Sequence, residues 1–195
     1  MKTRLWFLVS FIFVVNIYSF SQKGLDRLLN VQYKMGFAIL NNGDTLNGPF
    51  EFNDCEKNYQ LLVYVNPANF SKKAYNPEEV KFFALDSTYY IPKKLKDGWE
   101  FVQLISNDKL GVYLHKRFLT THMGSGSENQ VMLEKPNGQY LMVPLNNYYQ
   151  FKFKVSDFFS DDEALSTKIL NETYTRKDIL KIAYEYNNWL KELKK

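Results

Sequence analysis

The sequence predicts an α+β fold: a predominantly antiparallel β meander, curled as a sandwich or a half-open barrel, followed by two C-terminal helices. Two observations carry this expectation. Between Met35 and about Gln150, short apolar stretches alternate with period two and are separated by Gly, Asn, Asp and Pro, the pattern of half-buried strands joined by turns. After Phe153 the apolar spacing becomes helical, with a start signal ahead of each stretch. No long helical pattern interrupts the strands, which argues against a parallel sheet.

The chain opens with Lys2 and Arg4, then an apolar core from Leu5 to Val15 broken only by Ser10. Ser19 and Ser21 place small residues three and one before Gln22. A charged head, a short apolar core and a small-x-small site make a secretory signal peptide over 1–21. A spanning helix wants about 20 apolar residues, and Asn16 interrupts this one early. The expected organisation is therefore a leader at 1–21, a β-rich region at 22–153 and a helical segment at 154–195 packed on the sheet as part of the same domain. The expected location is the periplasm or the outer-membrane periphery of a Gram-negative cell, or outside it, with no transmembrane segment after cleavage.

The elements follow in order. Phe37 and Ile39 alternate with Ala38 and Leu40, and Asn42-Gly43-Asp44 turns the chain because these residues tolerate positive φ. On the return strand Leu46, Phe50 and Phe52 face one way, and Thr45, Asn47 and Glu51 the other. Gly48-Pro49 predicts a bulge or an edge there. Further strands are expected at 61–65, 70–75, 80–85, 88–91, 99–105, 110–118, 131–135 and 140–143. Asp86-Ser87 and Pro136-Asn137-Gly138 supply hairpin turns. Ser160-Asp161-Asp162-Glu163 reads as a capping box opening a helix. Thr175-Arg176-Lys177-Asp178 opens a second, whose stripe is Ile179, Ile182, Ala183, Tyr186, Leu190 and Leu193 with Trp189 at its margin.

Three segments, GFAILNNGDTLNG, NPEEVKFFAL with Tyr89-Tyr90, and FFSDDEAL…YTRKDILKIAYEYN, occur in that order. Together they resemble a group of small exported proteins of Bacteroidota-type Gram-negative bacteria. The resemblance spans nearly the whole mature chain and implies export and a β-then-α architecture. Its motifs are turns, a strand edge and helix caps, so it carries over no catalytic residue.

Chemistry is sparse. Lysine and arginine number 25 against 21 acidic residues, for a net charge of +4, which singles out no polyanionic partner and gives no sign of nucleic-acid binding. The lysine clusters at Lys72-Lys73 and Lys93-Lys94-Lys96 suit sheet edges. A single cysteine, Cys55, stands between Asp54 and Glu56, where carboxylates disfavour the nucleophilic thiolate. The two histidines, His115 on an expected surface strand and His122 in a loop, lack ligand spacing for zinc. Gly124-Ser125-Gly126-Ser127 is followed by Glu128 and Asn129 and not by the lysine of a phosphate loop, so a flexible hairpin loop is expected. No cofactor, metal or catalytic constellation is read.

Adjacent aromatics on a strand point to opposite faces, so one member of each pair can meet a partner. Tyr89, Tyr90, Trp99, Tyr148, Tyr149 and Trp189 are the candidate contact residues. The reading is a non-enzymatic exported binding or accessory subunit of an envelope protein assembly. The alternatives are a glycan-binding module using Trp99 and tyrosines on an open sheet face, and an enzyme of unrecognised type.

Overall fold

The computed structural model describes residues 32–52, 57–121, 124–144 and 146–193. The expected leader, Cys55 and His122 lie outside the described residues.

Ten strands form one antiparallel sheet: β1 Gln32–Leu40, β2 Thr45–Phe52, β3 Leu62–Val65, β4 Lys72–Tyr75, β5 Val80–Leu85, β6 Thr88–Leu95, β7 Gly98–Asn107, β8 Gly111–Thr121, β9 Gly124–Glu134 and β10 Tyr140–Met142. Their order is β10-β9-β8-β7-β6-β5-β1-β2-β3-β4. Two meanders are thus joined edge to edge where β1 pairs with β5. A short helix, α1 Lys57–Gln60, links β2 to β3, and α2 Tyr148–Phe158, α3 Glu163–Leu170 and α4 Ile179–Glu192 follow the sheet. Among the described residues no helix is long and apolar enough to cross a membrane.

The β4–β5 connection shows why the sheet must curl. Only residues 76–79 separate Tyr75 from Val80, and three of them, Pro77–Glu79, form a 3-10 turn. In the sheet β4 and β5 stand four ladder steps apart, about 19 Å if it were flat. Five residue steps reach at most about 18 Å fully extended. The run β5, β1, β2, β3 and β4 therefore wraps into a half-open barrel, and the 3-10 turn packs against β5, β6 and β7. Inside it lie Ala38, Leu40, Phe50, Leu62, Tyr75, Val80, Phe83, Leu85, Tyr90 and Phe101. Phe83 stacks on Tyr90 and meets Phe101 edge-on at 4.9 Å.

The same concave face continues onto β8 and β9, where the C-terminal helices cover it. Leu110, Val112 and Leu133 pack against Phe151, Val155, Phe158 and Phe159 of the α2 region, Leu165 and Ile169 of α3, and Ile179, Ile182, Ala183 and Tyr186 of α4. Asn187, buried on α4, accepts a hydrogen bond from the Leu110 amide at 2.7 Å. The predicted α4 stripe forms as read, except that Leu193 past its end is exposed.

Helix begins earlier than the expected boundary at Phe153. Phe151, Phe153 and Val155 mimic strand alternation, but Phe151, Val155 and Phe158 also recur at helical spacing and are the ones buried. Asn147 settles the competition by accepting from the Gln150 amide at 3.0 Å as an N-cap. Two smaller expectations are corrected. Gly124-Ser125-Gly126-Ser127 is the first part of β9, paired along its length with β8, and not a loop. The α3 cap is Asp162, accepting from the Leu165 amide at 3.1 Å, and not Ser160.

Asp161 is thereby left for another task. It accepts from the ammonium of Lys135 at 2.7 Å and from the Tyr186 hydroxyl at 2.5 Å. Lys135 is buried, with its Nζ 4.9 Å from the Phe158 ring centre and 5.3 Å from that of Tyr186. Burial pushes the Asp161 carboxyl up, but the Lys135 and Tyr186 hydrogen bonds outweigh it and hold the group below its ordinary value. Its contribution is whole above the unfolded value near 3.9 and is lost as pH falls through the lower folded value. The Asp161 side chain is 44% exposed, and screening trims its energy. Asp161→Asn is expected to cost about 1–2 kcal/mol at neutral pH and to flatten stability against pH below about 4, measured by urea unfolding.

Candidate functional site

On the concave face, between the barrel core and the helix-covered core, the sheet carries a cleft of about 460 Å³. That volume falls in the range of small-molecule sites. It is lined by Gln32 and Lys34 of β1, Tyr59 of α1, Tyr90 of β6, Gln103 of β7, Leu114 and Lys116 of β8, and Asn129 of β9. Register puts these side chains together. Tyr90 pairs with Gln103, Gln103 with Leu114, and Lys116 with Asn129, each pair sharing a face of the sheet.

The local reason for the cleft is a change of polarity within one phase of each strand. On β7 the buried Phe101 is followed two residues later by Gln103, and on β8 Val112 and Leu114 are followed by Lys116. On β9 the series read backwards is Leu133, Val131, Asn129, and on β1 Leu40 and Ala38 give way to Lys34 and Gln32. Each strand thus turns polar where neither core covers it. Tyr59 closes one wall from α1, its ring 6.0 Å from the Lys116 ammonium. Lys34 reaches Asp86 at 3.8 Å. Among the described residues the lining contributes three carboxamides, two phenols and two ammonium groups, and no carboxylate. Such groups recognise and orient; none is a nucleophile prepared by a neighbouring base.

The convex face holds a second polar group. Lys93 pairs with Glu134 and lies 4.7 Å from the centre of the Tyr113 ring. Burial, with the Glu134 carboxylate beside it, pushes the Tyr113 hydroxyl well above its ordinary value. His115 was expected at the surface but is only 7% exposed. Its Nε2 lies 2.6 Å from Glu100, and among the described residues its buried Nδ1 has no hydrogen-bond partner. If Nε2–H donates to Glu100, Nδ1 carries the lone pair. Val102, Tyr113 and Met132 are buried beside these groups. Among the described residues no three His, Cys, Asp or Glu side chains gather to hold a metal ion.

The six aromatic candidates do not converge. Tyr89 is exposed on the convex face, since its pairing partner Ala84 faces away from Phe83. Tyr90 is buried on the concave face and reaches the cleft. Trp99, 37% exposed, stands on the concave face near the start of β7. Tyr148 and Tyr149 open α2, with Tyr149 fully outward at 72% exposure. Trp189 is half-buried and stacks on Tyr186 at 5.3 Å, belonging to the helical core. Only Tyr90 belongs to the cleft. Gln32, Lys34, Gln103, Lys116 and Asn129 carry no signal singly, each being an ordinary polar residue within a strand; the break in phase is the available signal.

Compared with family models, curated proteins and solved structures, the chain finds no match.

Proposed function

We propose that the chain is a non-enzymatic exported binding protein, an accessory subunit of an envelope assembly, and that the concave cleft is where it takes a polar ligand. The observation that carries this reading is the phase-matched polarity across β1, β6, β7, β8 and β9. Polar side chains scattered by solvation would fall on either face, whereas these converge on one concave surface bounded by two apolar cores. Aromatic rings with amides beside them suit ligands that present both apolar faces and hydrogen-bonding edges. The glycan-binding alternative is therefore retained, moved from an exposed aromatic platform to the cleft.

The test is retention of the labelled full chain on an array of bacterial envelope polysaccharides. Wild type is expected to be held on a subset of spots. Gln103→Ala with Asn129→Ala should lose that retention by about tenfold or more while melting at an unchanged temperature. Retention that ignores both substitutions would remove the cleft from the account.

A further inference from the structure

The turn between β3 and β4 holds an aromatic residue where it is unfavourable twice over. Phe70 is 79% exposed, the most exposed large apolar side chain among the described residues. Its backbone stands at φ 57°, in the left-handed region that a bulky side chain rarely enters. Asp86 and Glu172 also have positive φ, but both are polar and exposed, so water suits them. Backbone strain spent on pushing a ring into water points to a role outside the fold.

The turn is braced in that pose. The Phe70 amide donates to the Asn66 carbonyl at 2.8 Å, and the Asn66 amide to the Ser71 carbonyl at 2.9 Å. The Asn66 and Asn69 side chains accept from the Ala68 and Ser71 amides at 2.9 and 3.0 Å, as asparagine does in turns. Pro67 and Ala68 are exposed beside the ring, so the tip is largely apolar.

Cations back it. From 57 to 77 the sequence holds Lys57, Lys72 and Lys73 and no acidic residue. Lys73 is exposed, its ammonium 4.8 Å from the Tyr75 ring centre. Lys72 is exposed too and reaches Glu51 of β2 at 2.8 Å. The β1–β2 turn at the same end of the sheet brings Asp44, held by Asn42 at 2.7 Å.

The size of the tip selects its partner. A stable contact with another protein, or with a second copy, covers about 800 Å² on each side, more than one six-residue turn supplies. Lysine is also depleted at the centre of such contacts. A bilayer needs no matching pocket: an aromatic ring settles at the level of the headgroups, and lysines nearby are drawn to anionic lipid.

We infer that the turn at 66–71 seats the protein on an anionic lipid surface, with the Phe70 ring entering the interface and Lys72 and Lys73 facing the headgroups. One ring and a few cations make a weak, reversible attachment. It is independent of what the cleft binds.

The test is sedimentation of the full chain with vesicles of phosphatidylethanolamine and phosphatidylglycerol. The apolar stretch from Leu5 to Val15 is common to every variant and cancels in the comparison. Phe70→Ala should lower partition about tenfold, and Lys73→Gln about fivefold, less as salt is added. Phe70→Gly removes the ring and relieves the backbone, so it should lose the lipid yet melt no lower than wild type. Brominated lipid then reads insertion directly. It should quench the fluorescence of Phe70→Trp well beyond that of Phe153→Trp, a control at another exposed phenylalanine, on α2. Equal partition of wild type and Phe70→Ala, or equal quenching of the two tryptophan variants, overturns the inference. A Lys73→Gln chain that partitions like wild type overturns the anionic class. No sedimentation with the vesicles overturns the lipid surface itself.

Discussion

Tyr186→Ala is expected to destabilise the protein by about 3–5 kcal/mol, the range for truncating a fully buried aromatic. Tyr186 is 1% exposed, meets Phe159 at 4.8 Å and Trp189 at 5.3 Å, and donates to Asp161. Removing it leaves a cavity under α4 and takes one ring from beside the buried Lys135 ammonium. For a chain of this length the loss corresponds to a fall in melting temperature of roughly 6–20 °C. Tyr186→Phe keeps the ring and loses the hydroxyl, and should cost about 1 kcal/mol. The pair separates packing from hydrogen bonding at one position. Thermal unfolding followed by circular dichroism reads both. A Tyr186→Ala protein that melts with wild type would mean that α4 does not cover the sheet.

Gly36→Ala is the second large effect expected, about 1–3 kcal/mol or more. Gly36 sits on β1 opposite Leu85 of β5, at the seam joining the two meanders. A Cβ there would stand 2.0 Å from the Ala84 carbonyl oxygen. A backbone atom cannot rotate away as a flexible side chain can, so β1 and β5 must separate. The damage should reach beyond stability. Lys34 is two residues from Gly36 on the same strand, so opening the seam moves one wall of the cleft against β6 and β7. Gly36→Ser should behave alike, since it adds the same Cβ. Unfolding in urea, read beside saccharide binding, checks both consequences.

The fold was largely legible because local chemistry and tertiary demand agree over most of the chain. The Asn42-Gly43-Asp44 turn, the Asp86-Ser87 and Pro136-Asn137-Gly138 hairpins and the Thr175 start all fall where read. Local signals failed where two periods coincide or where a third element intervenes. Phe151, Phe153 and Val155 satisfy strand and helix at once, and only the Asn147 cap decides. Asp161 reads as part of a capping box, but Lys135, just past the end of β9, claims it. The choice between a sandwich and a half-open barrel lay in the four residues between β4 and β5, and needed the strand order before it could be made.

The cleft was harder to see for a related reason. Gln103, Lys116 and Asn129 are each unremarkable polar residues in sequence, and only register shows that they share a face. The paired aromatics drew attention because they are conspicuous. Most of them serve other ends: Trp189 the helical core, Tyr148 and Tyr149 the start of α2, and Tyr89 the convex surface.

Backbone-amide NMR of the full chain titrated with an oligosaccharide that it retains on the array tests the account most directly. The account predicts shifts that follow saturation at Lys34, Tyr90, Gln103, Lys116 and Asn129, with the convex face around Tyr113 and His115 unmoved. Shifts confined to that convex face, or to the open groove between α2 and α3 lined by Phe153 and Leu170, with the cleft silent, would contradict it.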